Sequence, residues 1–289
     1  METPFTQLFE SLLFESFGRE IPLLDFQVVA AGMVNTGARL VTPEGIYFVK
    51  INTQSEDDFF EAEAKDLEML STYLRTPKVY GWGKVQGYAY LLTEAIPESP
   101  PAKPALEAAG RQLAAMHQVR HEAFGHPYPN RLVTVSLDNR WKTDGISFMV
   151  QNRILPMVGL CLMEEKISLQ LYKSIEALCG RLGNLIPEEA PSLLHGDLWT
   201  GNLLNGPGPE AVFIDPAAYF GFREHELAFT HLFGGFEAPF YEAYLEVFPL
   251  EPGFGERVSI YHIHPLLVHV YLFGSGYIAG IERILKRFS

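Results

Sequence analysis

Hydrophobic residues change their spacing twice along this chain. Phe26 to Ala30 and Ala38 to Thr42 are β-rich runs on either side of Ala31-Gly32-Met33-Val34-Asn35-Thr36-Gly37, a stretch of turn character. Pro43-Glu44-Gly45 marks a second turn, and Ile46 to Ile51 forms a third run. The spacing then shifts to the helical one: Phe60, Ala64, Leu67 and Leu74 predict a helix over 57–74, which Pro77 ends. Lys78 to Trp82 and Tyr88 to Thr93 return to strand character, with Gly83 and Gly87 around the turn between them. The first third therefore reads as a meander of strands with one inserted helix.

Pro97, Pro100, Pro101 and Pro104 break the pattern and read as a linker. Beyond them the chain is mostly helical: Leu106 to Gln118, Ile146 to Leu155, Leu169 to Leu185, and several helices after Glu224. A segment punctuated by glycine and proline, Leu193 to Phe220, interrupts the helices. The expectation is an α+β protein of two parts, a β-rich lobe over 1–96 and a larger helical lobe over 97–289. The longest uncharged apolar stretch, His264 to Ile281, approaches the length of a membrane span. His269, Ser275 and three glycines interrupt it, so it reads as a buried helix or helix pair, and no membrane contact is expected. Met1 to Gly18 carries Glu2, Glu10 and Glu15 and no basic residue, which does not read as a secretory signal.

The composition narrows the function classes. The chain has 289 residues, 47% of them hydrophobic and 20% charged, as in ordinary globular proteins. Lysine and arginine total 22 against 35 aspartates and glutamates, a net charge of −13. That excludes a non-specific nucleic-acid binder, which needs surplus cations, and a protein held to anionic lipid by charge. It leaves phosphate binding open, because that needs only local donors and a metal. Cys161 and Cys179 make no disulfide framework, so a reducing, cytoplasmic location is expected.

The sharpest chemistry lies in Leu193-Leu194-His195-Gly196-Asp197-Leu198-Trp199-Thr200-Gly201-Asn202, followed by Phe213-Ile214-Asp215-Pro216. Apolar residues anchor the backbone on both sides, and the polar residues project from the turns. Magnesium binds through one or two carboxylates plus substrate phosphates. Asn202 and Asp215 supply such oxygens, and Asp197 is left to accept a hydroxyl proton. Asp197 and Asn202 are five residues apart, as are the base and metal ligand of the kinase catalytic loop; there a later D-F-G aspartate holds magnesium, and here Asp215-Pro216-Ala217 stands in its place. Taken singly, each of these residues is an ordinary turn former; the ordered set is what carries the reading.

Lys50 ends a row with Ile46 and Phe48 on one face of its strand. Glu63 falls on the apolar stripe of the helix with Phe60, Leu67 and Leu70, where a carboxylate is costly unless paired. The two solve each other's problem, and their pair is the ATP-phosphate clamp of the kinase template. The turn from Gly32 to Gly37, with Asn35 in it, offers backbone N–H groups to phosphates. Glu94, Ala95 and Ile96 follow the last strand, in the place of a hinge that gives backbone groups to adenine. The His262, His264 and His269 cluster lacks a carboxylate partner motif and reads as packed or substrate-lining rather than metal-binding.

The stretch from His195 to Asn202 resembles the signature of the fructosamine kinase/ketosamine-3-kinase family. So do Asp215-Pro216-Ala217-Ala218-Tyr219-Phe220-Gly221, Arg223-Glu224, Leu232-Phe233-Gly234-Gly235-Phe236 and His264 to His269. The resemblance implies a protein-kinase-like, two-lobed fold and transfer of the ATP γ-phosphoryl, with Mg²⁺, to the 3-hydroxyl of a small or protein-bound ketoamine. It makes Asp197 the base, Asn202 and Asp215 the metal ligands, Lys50 with Glu63 the phosphate clamp, and Glu94 to Ile96 the hinge. Trp199, Tyr219, Glu224 and His264 are the expected acceptor contacts. Phe222 and Glu226 stand where the family often carries aspartates. An aminoglycoside or choline phosphotransferase shares the H-G-D-x-x-x-x-N core, and a nucleotide-binding pseudokinase is the alternative of another class, although base, metal ligands and lysine are all present. The oligomeric state is left open.

Overall fold

The computed structural model describes residues 4–31, 34–53, 59–97 and 99–288. In chain order the helices and strands are α1 (Pro4–Phe17), β1 (Asp25–Ala31), β2 (Asn35–Thr42), β3 (Gly45–Asn52), α2 (Glu61–Leu70), β4 (Val79–Val85), β5 (Tyr88–Glu94) and α3 (Lys103–His117). Then come β6 (Asn130–Leu132), β7 (Val135–Leu137), α4 (Gly145–Phe148), a π-helical turn (Met149–Ile154), α5 (Leu155–Met163), α6 (Leu169–Cys179), β8 (Ser192–Leu194), β9 (Leu203–Asn205), β10 (Ala211–Phe213) and β11 (Tyr219–Gly221). The chain ends with α7 (Arg223–Leu232), α8 (Ala238–Val247), α9 (Phe254–Tyr261), α10 (Ile263–Phe273) and α11 (Ile278–Arg287).

By packing, the chain forms two compact units, Met1–Ala109 with Gly201–Ala217, and Gly110–Thr200 with Ala218–Ser289. A single cut after residue 96 was the expectation. Instead, the first unit also takes the start of α3 and the β9–β10 hairpin, because Phe213 N–H bonds the Arg75 carbonyl and Ser99 N–H bonds the Asn205 carbonyl.

The first unit is built on a five-stranded antiparallel sheet of order β1-β2-β3-β5-β4. Alternation sorts its side chains onto two faces. Val49, Ile51, Tyr90 and Leu92 pack with Leu8, Phe9, Leu12 and Leu13 of α1. Ala89 and Leu91 meet Phe60, Ala64 and Leu67 on the other side, the last two from α2. The strand reading of the first third missed α1, whose buried positions at 8, 9, 12 and 13 recur at helical spacing. Asn35 to Gly37 belong to β2 rather than to a turn, since Ala31 pairs with Asn35.

The second unit is mostly helical. Phe148, Ile154, Met157, Val158, Ile175, Leu178, Ile263, Leu267 and Ile281 share one core. The predicted helix over 146–155 continues to Met163 through the π turn, and the one predicted over 169–185 stops at Cys179. Among the described residues one helical run, Gly145–Met163, is long and apolar enough to cross a membrane. Its buried side joins this core, as a core helix does. The His264–Ile281 stretch breaks at Gly274, φ 94°, into α10 and α11, the helix pair that its glycines predict.

Gly110 lets α3 lie against α8. A Cβ there would stand 2.1 Å from the Phe240 carbonyl oxygen. Gly110→Ala gains about 1 kcal/mol of helix propensity but forces backbone apart, at a cost of ~1–3 kcal/mol or more. Thermal unfolding should show a lower Tm; an equal or higher one would mean that the two helices have room to spare.

Candidate active site

Lys50 sits in β3, opposite Gly37 of β2 and Leu91 of β5. It shares the Leu91 face, towards α2. Its Nζ donates to Glu63 Oε1 at 2.6 Å and to Asp215 Oδ1 at 2.5 Å. The ammonium is buried, which opposes its charge, but the Asp215 and Glu63 carboxylates outweigh burial and raise its pKa above the ordinary lysine range. Glu63 moves up as well: burial pushes it, Lys50 resists, and the Asp215 charge adds to the push. One cation thus serves two carboxylates, which set acidic oxygens in the place where a metal would be welcome.

Asp215 has φ +57°, left-handed and uncommon outside glycine, though tolerated by aspartate. The local backbone enforces it. The β9–β10 hairpin sets Leu203 opposite Phe213. One step further, Ile214 N–H bonds the Asn202 carbonyl at 3.0 Å. Asn202 and Asp215 therefore flank the same end of one hairpin. They are hard oxygen donors, and no group of three or more His, Cys, Asp or Glu among the described residues could cage a metal. That donor set fits Mg²⁺, which takes one or two protein oxygens and completes its shell with phosphates and water.

Glu94, the first of the expected hinge residues, is tied down by a cation that the sequence reading missed. Arg75 forks onto Glu94 at 2.6 and 2.9 Å and reaches Glu210 at 3.2 Å. Glu94 N–H bonds the Lys78 carbonyl. The Glu94 side chain and backbone N–H are thus both occupied. Asn35 accepts from Asn52 Nδ2 at 2.9 Å, which pins the start of β2 to the end of β3. Gly32 lies outside the described residues.

Asp197 and Trp199 belong to the second unit. Gly196 has φ +87°, which explains glycine where the kinase template has arginine. This backbone turns its N–H groups inward onto one carboxylate. Glu226 Oε1 accepts from Gly196 N–H at 2.6 Å, and Oε2 accepts from His195 N–H at 3.0 Å. His117 Nε2 lies 2.8 Å from Oε2, and its Nδ1 lies 2.8 Å from the Tyr244 hydroxyl. Burial pushes the Glu226 carboxyl up, but the His117 bond and charge, the His195 charge and the Gly196 N–H bring it below the ordinary value. Glu226 is thus a positioning residue, holding in place the two residues that precede the candidate base. The signal available in sequence was its place on the buried stripe of α7 with Leu227.

The expected acceptor contacts need correction. Trp199 stays available at 39% exposure. Glu224 does not: buried, it binds Arg257 through both oxygens and accepts from the Tyr261 hydroxyl. Tyr219 and His264 are 4% and 3% exposed and face the interior. Phe222 begins α7 without a side-chain cap and packs on Phe124 at 4.9 Å. At 222 an aromatic contact stands in place of a carboxylate, and at 226 the carboxylate is a clamp.

The Glu226 clamp has a pH signature. Its folded carboxyl titrates below the ordinary 4.5, so its stabilisation is complete above that pH and is lost as pH falls through the folded value. Glu226→Gln should lower stability at pH 7 by about 1.5–3 kcal/mol, the worth of hydrogen bonds to a charged group. It should also flatten the acid limb of the stability curve. Denaturant titrations between neutral and acid pH measure both; unchanged curves would remove the clamp.

The sequence profile of the family described as Fructosamine kinase matches residues 5–289. A protein of Enterococcus faecium described as a probable ketoamine kinase is 35% identical over 262 residues, covering 90% of this chain and 94% of that protein. A crystal structure from Thermobifida fusca, named for a fructosamine-3-kinase, superposes with a TM-score of 0.87 at 32% identity, over 96% of this chain and 97% of the other. The fold is also that of a thermostable mutant of the aminoglycoside phosphotransferase APH(4)-Ia, solved with AMP-PNP and hygromycin B, at a TM-score of 0.67 and 15% identity, over 97% and 98% of the two chains. With an antiparallel sheet and segregated helices, this is the kinase-like α+β fold. The chain belongs to the fructosamine kinase family.

Proposed function

We propose that this protein transfers the γ-phosphoryl group of ATP to the 3-hydroxyl of ketosamines, the adducts of sugars with amines. The observation that carries the reading is the Lys50–Glu63–Asp215 cluster, a buried cation between two carboxylates at distances of 2.6 and 2.5 Å. Desolvating such charges is expensive, so the arrangement points to a task beyond stability. Lys50 takes the nucleotide phosphates, and Glu63 fixes its position. Asn202 and Asp215 would hold Mg²⁺, whose contribution when bound is to neutralise charge on the transferred phosphate. Asp197 accepts the proton of the acceptor hydroxyl and orients it, on a loop that Glu226 holds still. Trp199, two residues on and well exposed, offers a flat face to the sugar chain.

The acceptor is a small ketosamine, and a lysine adduct on a protein extends the same chemistry. Cys161 and Cys179 are buried free thiols, both pushed up to about 11 mainly by burial, and so unreactive. Free thiols suit a reducing cytoplasmic location, which is part of the proposal.

Asp197→Asn should reduce turnover by at least ~10², the low end for a positioned base, while ATP binding persists. Turnover within a few-fold of the parent would remove Asp197 from that role. Trp199→Ala should raise the KM for fructosyl- or ribulosyl-lysine and leave the KM for ATP unchanged. Robust phosphorylation of an aminoglycoside with no ketosamine turnover would overturn the acceptor assignment.

A further inference from the structure

Behind the catalytic loop lies a cluster of rings that the roles above leave unused. His225 is the residue before Glu226 in α7. Its Nδ1 lies 2.9 Å from the Tyr219 hydroxyl, and the rings of His264 and Tyr261 stand 5.9 and 6.2 Å from its own. Tyr219, Tyr261 and His264 are 4%, 1% and 3% exposed. His225 alone of the four is half-buried rather than buried. Among the described residues only its Nδ1 is bonded, and Nε2 is not one of the buried side-chain atoms left without a partner, so Nε2 meets solvent. Among the described residues His264 Nε2, itself buried, has no hydrogen-bond partner, so the cluster has polar capacity left unused.

The polarity of the open edge follows from what lies behind Tyr219. Arg153 comes from the π turn, and its guanidinium is held by the Asp138 carbonyl at 2.7 Å and Asn139 Oδ1 at 2.6 Å. It stacks over the Phe148 ring at 4.6 Å and the Tyr219 ring at 4.5 Å. A fixed cation draws the phenol oxygen's lone pairs, which turns the phenol proton away, towards His225 Nδ1. Both rings are neutral at pH 7. Burial, assisted by the Arg153 charge, holds His225 near 4, and burial lifts the Tyr219 phenol to about 12. A neutral imidazole that accepts at Nδ1 carries its proton on Nε2.

We infer that His225 is a specificity-determining residue of the acceptor site, whose Nε2–H, set by Tyr219 and Arg153, donates a hydrogen bond to a hydroxyl or carbonyl oxygen of the sugar. Its position supports this. Glu226, one residue on, grips the backbone of His195 and Gly196, and Asp197 follows directly. The inference rests on the ketosamine reading and deepens it, placing a sugar-directed donor on the same unit as the candidate base.

The test has two arms. In the first, the histidine nitrogens of the intact wild-type protein are observed by ¹⁵N NMR at pH 7. His225 should be protonated at Nε2, and Tyr219→Phe should shift it towards the Nδ1–H form. A wild-type ring protonated at Nδ1 overturns the inference, whatever the substrate. In the second, KM values for fructosyl-lysine and for ATP are compared. His225→Ala should raise the sugar KM by about five- to tenfold, the worth of one neutral hydrogen bond, with the ATP KM within about twofold of wild type. His225→Gln, which keeps an N–H near the Nε2 position, should recover most of the loss. An unchanged sugar KM in His225→Ala, or equal rises in both KM values with a fallen Tm, would reduce His225 to packing. A wild-type protein with no ketosamine turnover would overturn the ketosamine reading and the inference together, a result distinct from an active wild type with a normal His225→Ala.

Discussion

A carboxylate far from water stays charged only where hydrogen bonds and cations replace the solvent. Glu226 is buried and meets that demand with the His195 and Gly196 N–H groups and with His117. Much of the second unit is arranged around this one requirement. Gly196 must adopt φ +87° for its N–H to turn inward, so no side chain is tolerated there without strain. α3 must end at His117, and α8 must bring Tyr244 to the other ring nitrogen. The reward is a rigid loop in front of Asp197, which is what a positioned base needs. Positioning supplies most of what a protein contributes to phosphoryl transfer.

The first unit answers the same physics with opposite signs. There the buried group is a cation, and two carboxylates compete for it. Glu63 is fixed by α2, while Asp215 hangs on a strained residue at the end of a two-stranded hairpin. Of the two partners Asp215 is the more exposed, at 38% against 20%. It is therefore the partner better placed to exchange Lys50 for a metal, whereas Glu63 stays with the lysine. Strain at a residue of this kind is retained where the surrounding backbone over-determines it, as the Asn202–Ile214 and Arg75–Phe213 bonds do here.

Buried arginines show how differently one residue type is used. Arg223 stacks on Phe248 at 3.6 Å and binds Glu189, and Arg257 is locked to Glu224, so both have carboxylate partners and hold helices together. Arg153 is held by two carbonyls, an amide oxygen and two aromatic faces, with no carboxylate in ion-pair contact among the described residues. Its charge adds to burial in lowering His225. The difference comes from the π turn, which aims Arg153 into the ring cluster.

The chain's own order of residues was enough for the strands β1 to β5 and for the pairing of Lys50 with Glu63, and it offered Asp197, Asn202 and Asp215 as candidates. These depend on alternation, on helical spacing and on short loops, all local properties that a sequence displays directly. Helix α1 was legible too, through Leu8, Phe9, Leu12 and Leu13, but was hidden by the strand character that follows. Only the tertiary structure decided which acidic and aromatic residues face inward. Glu224 and Glu226 lie two positions apart on α7, yet one is spent on Arg257 and the other clamps the catalytic loop. Tyr219 and His264 turned inward, and His225 took the open edge. The partners of these groups come from α3, α8 and α9 and from the π turn, far off in sequence. A buried polar side chain takes its role from whatever the packing sets within hydrogen-bonding distance.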